Sequence, residues 1–168
     1  TSGISYDPSE LGYSVVKDAP EVNKTHKAGE VYFSEEIMQR EIEEIFMKQW
    51  LLVGRAEEVE NPGDYFTHRI ANEPVVVVKE KNCNIQAFAN VCRHRGSIIC
   101  IEKRGNKRKF QCPYHGWIYD TDGNLTAARN MPDGFDKSNH GLHKVSVEVV
   151  HGLVFVCFCD DPPAMEPA

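Results

Sequence analysis

Short runs of apolar residues separated by turn residues occupy most of the chain after Trp50. The runs are rich in Val, Ile, Phe and Tyr, which favour strands, and residues 145–149 carry Val at every second position, as expected for a strand with one solvent-facing side. The pattern predicts strands over 50–55, 64–70, 74–79, 85–90, 109–112, 117–120, 144–150 and 153–158. Because turns such as Asn61-Pro62-Gly63 are too short for parallel crossovers, the predicted sheets are antiparallel.

A helical pattern precedes the first strand. Ser34 can cap the N-terminus of a helix, and Glu35 and Glu36 follow in the first turn, where the helix dipole favours acidic residues. The apolar residues of this segment repeat at helical spacing and are expected to pack on the domain: Met38, Ile42, Ile45 and Phe46. The sequence therefore predicts an extended polar arm over 1–33, a helix over 34–49 and a mainly β domain over 50–160.

Length and composition are those of one small domain with short tails. The chain has 168 residues, of which 41% are hydrophobic, enough for a core. The N-terminus shows no signal-peptide pattern and no apolar run is long enough to span a membrane, so we predict a cytoplasmic protein without a membrane partner. Cys157 and Cys159 lie two positions apart in an apolar run and are predicted to be buried free thiols on one face of a strand.

Two short segments combine cysteine with histidine. Cys92-Arg93-His94 and Cys112-Pro113-Tyr114-His115 are separated by seventeen residues, and a glycine follows each, at Gly96 and Gly116. Two thiolates and two imidazoles are the ligand set of a Rieske [2Fe–2S] centre, in which two Cys hold one iron and two His hold the other. Glycine suits such loops because a Cβ would obstruct the approach of backbone N–H groups to the sulfurs.

A tetrahedral zinc site is the alternative for the same residue types. Zinc ribbons and fingers usually repeat Cys pairs and His pairs, whereas each segment here holds one Cys and one His. The spacing favours the iron–sulfur centre, and a zinc-stabilised interaction module stays open as an alternative. The remaining histidines lack ligand spacing and are predicted to be surface or locally hydrogen-bonded residues: His26, His68, His140, His143 and His151.

With these residues the chain resembles Rieske non-haem iron oxygenases of the aromatic-ring-hydroxylating family, specifically the N-terminal part of the catalytic α subunit. The resemblance covers residues 33–160 and is carried by the two segments, by Gly116-Trp117, by residues 61–65 and by the strand over 152–156. It implies an antiparallel Rieske-type β-sandwich with two cluster-binding hairpin loops and one N-terminal α-helix. It also implies that residues 161–168 begin a linker to a catalytic domain.

The resemblance further implies roles for single residues. The two cysteines would hold the iron that stays ferric and the two histidines the iron that is reduced, which makes the ligands Cys92, His94, Cys112 and His115. Trp117 stands where Rieske proteins of respiratory complexes carry Ser, so a hydroxyl donor to the cluster is missing there. Tyr119 can donate to a cysteine sulfur instead. We therefore expect a low-potential centre that takes electrons derived from NAD(P)H and not from quinol.

In such an oxygenase the domain would pass single electrons from a ferredoxin or flavin reductase to a mononuclear Fe(II) centre that activates O2 for hydroxylation, dihydroxylation or demethylation. That iron would belong to the catalytic domain of the same or a neighbouring subunit in a trimer. This chain shows no two-His-one-carboxylate motif, so we expect it to be inactive alone. A free-standing Rieske ferredoxin is the alternative, although those small proteins generally lack a helix before the first strand.

The net charge of −6 hides a local excess of basic residues. Between Cys92 and Cys112 there are seven basic residues and one acidic residue, so this stretch carries +6 and the remainder −12. A solvated loop is one interpretation. The other is a docking patch for an acidic electron donor, for which the candidate residues are Arg104, Lys107, Arg108 and Lys109. A nucleic-acid partner does not fit an acidic chain with so local a patch.

Overall fold

The computed structural model describes residues 34–165, so the predicted arm over 1–33 lies outside the described residues. The strands are β1 Leu51–Arg55, β2 Asp64–Ile70, β3 Glu73–Lys79, β4 Ile85–Ala89, β5 Arg104–Asn106, β6 Lys109–Gln111, β7 Ile118–Asp120, β8 Leu125–Ala127, β9 Lys144–Val150 and β10 Leu153–Cys157. All of the strand pairs are antiparallel. Within the described part, no helix is long and apolar enough to cross a membrane.

The strands form two sheets. Seven strands pair in the order β1-β10-β9-β4-β3-β2-β5, and a smaller sheet has the order β6-β7-β8. The mainly antiparallel β fold predicted from the sequence is confirmed. Two short strands, β5 and β8, were not predicted. β5 has the sequence Arg-Gly-Asn and all three of its residues are exposed, so it carries no apolar signal and is defined by its backbone pairing with β2 alone.

Strand β3 lies between two apolar cores. Its central residues 75–78 are four consecutive valines, each at most 1% exposed. Val76 and Val78 face the core that contains Phe88, whereas Val75 and Val77 face the core that contains Val154. A strand that is covered on both faces needs apolar side chains at every position, which explains why β3 shows no alternation of apolar and polar residues.

The helix is shorter and less buried than predicted. α1 spans Glu35–Glu41 and continues as a π-helical turn over Ile42–Phe46. Met38 is 57% exposed and Ile45 50% exposed, so the expected packing of this apolar face on the domain is wrong for these residues. A π-turn winds more residues into each turn and thereby changes which side chains share a face. Met47, just after the turn, packs against the core that contains Val154.

Candidate metal centre

Two loops with the same backbone hydrogen bonds carry the four predicted ligands. In the first loop, the N–H of Cys92 donates to the carbonyl of Ser97 at 2.8 Å, and the N–H of Gly96 donates to the carbonyl of Cys92 at 2.9 Å. In the second loop the same two bonds occur within residues 112–117, at 2.8 and 3.0 Å. The first loop lies between β4 and β5, and the second connects β6 to β7. Each cysteine therefore begins a tight turn of the same form.

The glycines of the two loops are required by backbone conformation. Gly96 has φ +70° and Gly116 has φ +71°, a left-handed conformation that glycine adopts without strain. A Cβ added at Gly96 would meet no protein atom within 4 Å. The left-handed turn is therefore the reason for glycine that the protein atoms alone supply at position 96.

The two thiols are buried side by side. Cys92 and Cys112 are each 2% exposed and belong to the same buried core. The hydroxyl of Tyr119 lies 3.3 Å from Cys92 Sγ and accepts a hydrogen bond from the N–H of Arg93 at 3.1 Å, which leaves its own proton for the sulfur. Burial raises the pKa of the Cys92 thiol, and the hydrogen bond from Tyr119 opposes that increase. Burial also raises the pKa of Tyr119, so this hydroxyl keeps its proton at neutral pH.

The two imidazoles form the second pair. The ring centres of His94 and His115 are 4.7 Å apart, with 72° between the ring planes. His94 Nδ1 is buried and has no hydrogen-bond partner among the described residues. Burial, followed by the proximity of His115 and Arg95, lowers the pKa of His94, which favours the neutral imidazole that a metal ligand must supply.

Trp117 covers one side of the histidine pair. Its indole stacks on the ring of His94 with 4.8 Å between ring centres and 9° between the planes. The side chain is 1% exposed, and its Nε1 has no hydrogen-bond partner among the described residues. The rings of Phe135 and His140 contact the indole, with ring centres 5.7 and 5.9 Å from it. Trp117 therefore positions a histidine ring and shields it from water.

The four side chains could hold a binuclear iron–sulfur centre. They form a buried pair of thiols and a separate pair of imidazoles, the division that a Rieske cluster requires. Among residues 34–165, no three His, Cys, Asp or Glu side chains gather as they would around one metal ion.

The sequence interpretation missed Asn90, which holds the first loop in place. Its amide nitrogen donates to the carbonyl of Cys100, and its amide oxygen accepts from the N–H of Cys100, both at 2.8 Å. Asn90 is only 2% exposed. The signal in the sequence was a polar residue at the end of the predicted apolar strand over 85–90, directly before the first ligand loop.

Two of the four basic residues proposed for donor docking form ion pairs among the described residues of the structure, and the other two do not. Arg104 pairs with Glu58 at 3.1 Å, although its side chain is 74% exposed. Lys107 pairs with Glu102 at 3.3 Å. The side chains of Arg108 and Lys109 are exposed and take part in none of the ion pairs within residues 34–165. These two cations directly precede or begin β6, the strand that leads to Cys112.

Comparison with known proteins agrees with this geometry. The family model of the Rieske [2Fe-2S] domain matches residues 49–157. The chain is 43% identical to the alpha subunit of benzene 1,2-dioxygenase from Pseudomonas putida, over 74% of this chain and 28% of that protein. It is 41% identical to the oxygenase subunit of glycine betaine monooxygenase from Chromohalobacter salexigens, over 80% of this chain and 31% of that protein. The chain thus spans less than a third of these relatives' length.

Solved structures show the same relationship. The quaternary ammonium Rieske monooxygenase CntA, in complex with L-carnitine, superposes with a TM-score of 0.75 and 34% identity, over 80% of this chain and 39% of that chain. Naphthalene 1,2-dioxygenase with bound indole gives a TM-score of 0.75 and 34% identity, over 79% of this chain and 31% of that chain. On sequence, fold and the paired ligand loops, this chain belongs to the family of Rieske [2Fe-2S] domains.

Proposed function

We propose that Cys92, His94, Cys112 and His115 hold the [2Fe–2S] cluster of this Rieske domain. The observation that carries the proposal is the repeated turn, which presents one buried thiol and one imidazole from each of two loops. A Rieske centre supplies one-electron transfer at a potential set by its ligands and their hydrogen bonds. The orphaned Nδ1 of His94 and the hydroxyl of Tyr119 beside Cys92 both support this ligand set.

We further propose that the domain delivers electrons inside a larger oxygenase. Residues 50–160 would form the electron-transfer unit, and residues 161–168 would begin the linker to a catalytic domain with a mononuclear iron. The partners would be a ferredoxin or flavin reductase as donor and, as acceptor, the catalytic domain of the same or a neighbouring subunit in a trimer. Support comes from the relatives, which are oxygenase subunits more than three times as long as the region they share with this chain.

The substrate specificity would be determined by the catalytic domain, which is not part of this chain's Rieske domain. The relatives act on benzene and on glycine betaine according to their names, and their identities to this chain are nearly equal at 43% and 41%. The two reactions therefore share one type of electron-transfer domain. We infer hydroxylation, dihydroxylation or oxidative demethylation as the class of reaction served, with the choice made by the catalytic domain.

The surrounding residues have separate tasks in this function. The hydroxyl of Tyr119 can donate to the Cys92 sulfur, and so stabilise negative charge there when an electron arrives. Trp117 keeps the ring of His94 in one orientation. Tyr114 is 61% exposed and its ring lies 3.8 Å, between ring centres, from that of His115, so the edge of the site reaches solvent where a partner can approach.

Metal and sulfide analysis tests the ligand proposal. Protein made with ample iron should contain two irons and two acid-labile sulfides per chain and should give a rhombic EPR signal on reduction. His94→Ala and His115→Ala should lose the cluster, because each removes half of the imidazole pair. His68→Ala, on the exposed side of β2, is the matched control and should keep the full signal. Zinc as the sole metal of the wild-type protein would contradict the proposal and restore the zinc-module alternative.

A further inference from the structure

A second pair of cysteines lies outside the ligand loops. Cys157 is the last residue of β10, and Cys159 follows after Phe158. Their Sγ atoms are 3.0 Å apart, and both thiols are free. A disulfide bond has an S–S distance of about 2.05 Å, so the two sulfurs need to approach by only about 1 Å.

The two thiols have different access to solvent. Cys157 is fully buried, whereas Cys159 is partly exposed at the end of the sheet. The Cys159 thiol also lies 3.7 Å from the carbonyl oxygen of Lys48 and can donate to it. Burial raises the pKa of Cys157, and its neighbour Cys159 contributes to that increase. An oxidant from solvent therefore meets Cys159 first, with Cys157 held in place to complete the reaction.

We propose that Cys157 and Cys159 are a redox modification site that closes reversibly into an intramolecular disulfide. A low-molecular-weight disulfide such as glutathione disulfide supplies the oxidising equivalents. The Cys159 thiolate attacks it, forming a mixed disulfide and releasing one glutathione. The Cys157 sulfur, as its thiolate, then attacks the Cys159 sulfur and releases the second glutathione, so that two thiols are oxidised and one glutathione disulfide is reduced.

The second step is favoured by the contact that already exists. A neighbouring sulfur acts as an intramolecular nucleophile with a high effective concentration, which offsets the low thiolate fraction of a buried cysteine. Closing the bond between residues two apart creates a small, strained ring, and strained disulfides are the easily reduced ones. The site should therefore respond to the thiol–disulfide balance of its surroundings and not act as a permanent crosslink.

Peptide mass spectrometry on the cluster-containing protein tests this proposal. The protein is equilibrated with graded ratios of reduced and oxidised glutathione, its free thiols are alkylated and it is digested with trypsin. Cleavage after Lys144 places both cysteines in one peptide that begins at Val145. We expect this peptide to lose two hydrogen atoms and to escape alkylation at oxidising ratios, and to regain both thiols when dithiothreitol is added.

Cys83 provides the internal control because its thiol is exposed and makes no contact with another cysteine within the described residues. It should form a stable glutathione adduct under the conditions that close the Cys157–Cys159 pair. Cys159→Ser should abolish the hydrogen loss, whereas Cys83→Ser should leave it unchanged. The proposal is overturned if the Val145 peptide keeps two alkylated cysteines, or keeps a glutathione adduct at Cys159, when Cys83 is fully converted. None of these readouts depends on the activity of the cluster.

Discussion

Tyr119 connects the two ligand loops through a single hydroxyl group. It follows the second loop on β7, and its hydroxyl reaches the sulfur of Cys92 and the backbone of Arg93 in the first loop. Reduction of a cluster adds negative charge, so a donor to a ligand sulfur stabilises the reduced form and raises the potential. Tyr119→Phe should lower the midpoint potential by about 40 mV, because one hydrogen bond contributes about 1 kcal/mol and 59 mV corresponds to tenfold in a one-electron equilibrium.

Protein-film voltammetry measures that shift, and Tyr65→Phe is its control. Tyr65 is as deeply buried, at 1% exposure, and lies in the same core, and among the described residues its ring packs against Phe110 and Lys107. It should change the stability without changing the potential. Equal shifts in both variants would show that Tyr119 acts through the core and not through the sulfur.

The environment of Trp117 predicts the potential of the wild-type centre. Rieske potentials range from about −150 to +300 mV, and hydrogen bonds to the sulfurs are one determinant. Trp117 stacks on His94, and its Nε1 donates to no described residue, so it does not replace the hydroxyl donor of high-potential relatives. We expect a midpoint below about 0 mV, where electrons from NAD(P)H can be accepted. A voltammetric midpoint above about +100 mV would contradict this role of Trp117.

At the scale of elements, Asn90 fixes the first ligand loop to the end of β4. Asn90→Ala would leave both the N–H and the carbonyl of Cys100 without their partner inside the core. We expect the free energy of unfolding to fall by roughly 2–6 kcal/mol, since two buried polar groups lose their partner and each costs about 1–3 kcal/mol. Urea unfolding followed by circular dichroism gives this value.

Asn82→Ala is the matched substitution for that measurement. Asn82 also accepts a backbone hydrogen bond, from Asn84 at 3.0 Å, but it does so in an exposed turn between β3 and β4. Asn82→Ala should lower the free energy of unfolding by less than about 1 kcal/mol, because water replaces the lost hydrogen bond. If Asn90→Ala is as mild as Asn82→Ala, the loop does not depend on this side chain.

The sequence predicted the strands that a pattern of apolar side chains and flanking turn residues makes recognisable. β2 and β9 have the predicted bounds because apolar residues and turns mark both ends. β5 could not be found, since its three exposed residues contribute only backbone pairing to the sheet. The helix face was misassigned because hydrophobic periodicity assumes a regular α-helix, and residues 42–46 form a wider turn. Periodicity thus detects burial, and it misses elements whose position is set by the backbone alone.

The candidate site followed the same rule. The spacing of Cys and His indicated the proposed ligands, because the chemistry of the cluster restricts which residues can serve. Asn90 was missed because a single buried amide that bonds to backbone groups does not produce a recognisable pattern in the sequence. The sequence also could not show which of the four basic residues form ion pairs, since the pairing of Arg104 with Glu58 joins positions 46 residues apart.

At the scale of the whole molecule, the exposed cations beside β6 predict how an electron donor approaches. Arg108→Glu should slow reduction by an acidic ferredoxin about tenfold at low ionic strength, because charges at the rim of an interface act mainly on the association rate. The difference should vanish near 1 M salt, where the screening length is about 3 Å. Stopped-flow reduction of the cluster, followed by its visible absorbance, measures the rate.

Lys81→Glu makes the same change of charge in the exposed turn between β3 and β4. It alters the net charge equally but not the surface around the strand that leads to Cys112. If Lys81→Glu slows reduction as much as Arg108→Glu does, the donor responds to overall charge. The basic stretch is then the solvated loop that the sequence left open.

The valine strand β3 has a consequence for the order in which this protein matures. Its side chains are covered on both faces, and its backbone is paired on both sides, with β2 and β4. Amide protons in such a strand exchange with solvent only when the whole domain unfolds. The ligand loops are only partly covered, since Arg93 and Tyr114 lie at the surface while the cysteines are buried. We therefore expect exchange of the β3 amide protons to be slower than exchange in the ligand loops, so that the β framework completes its folding before the proposed cluster is inserted.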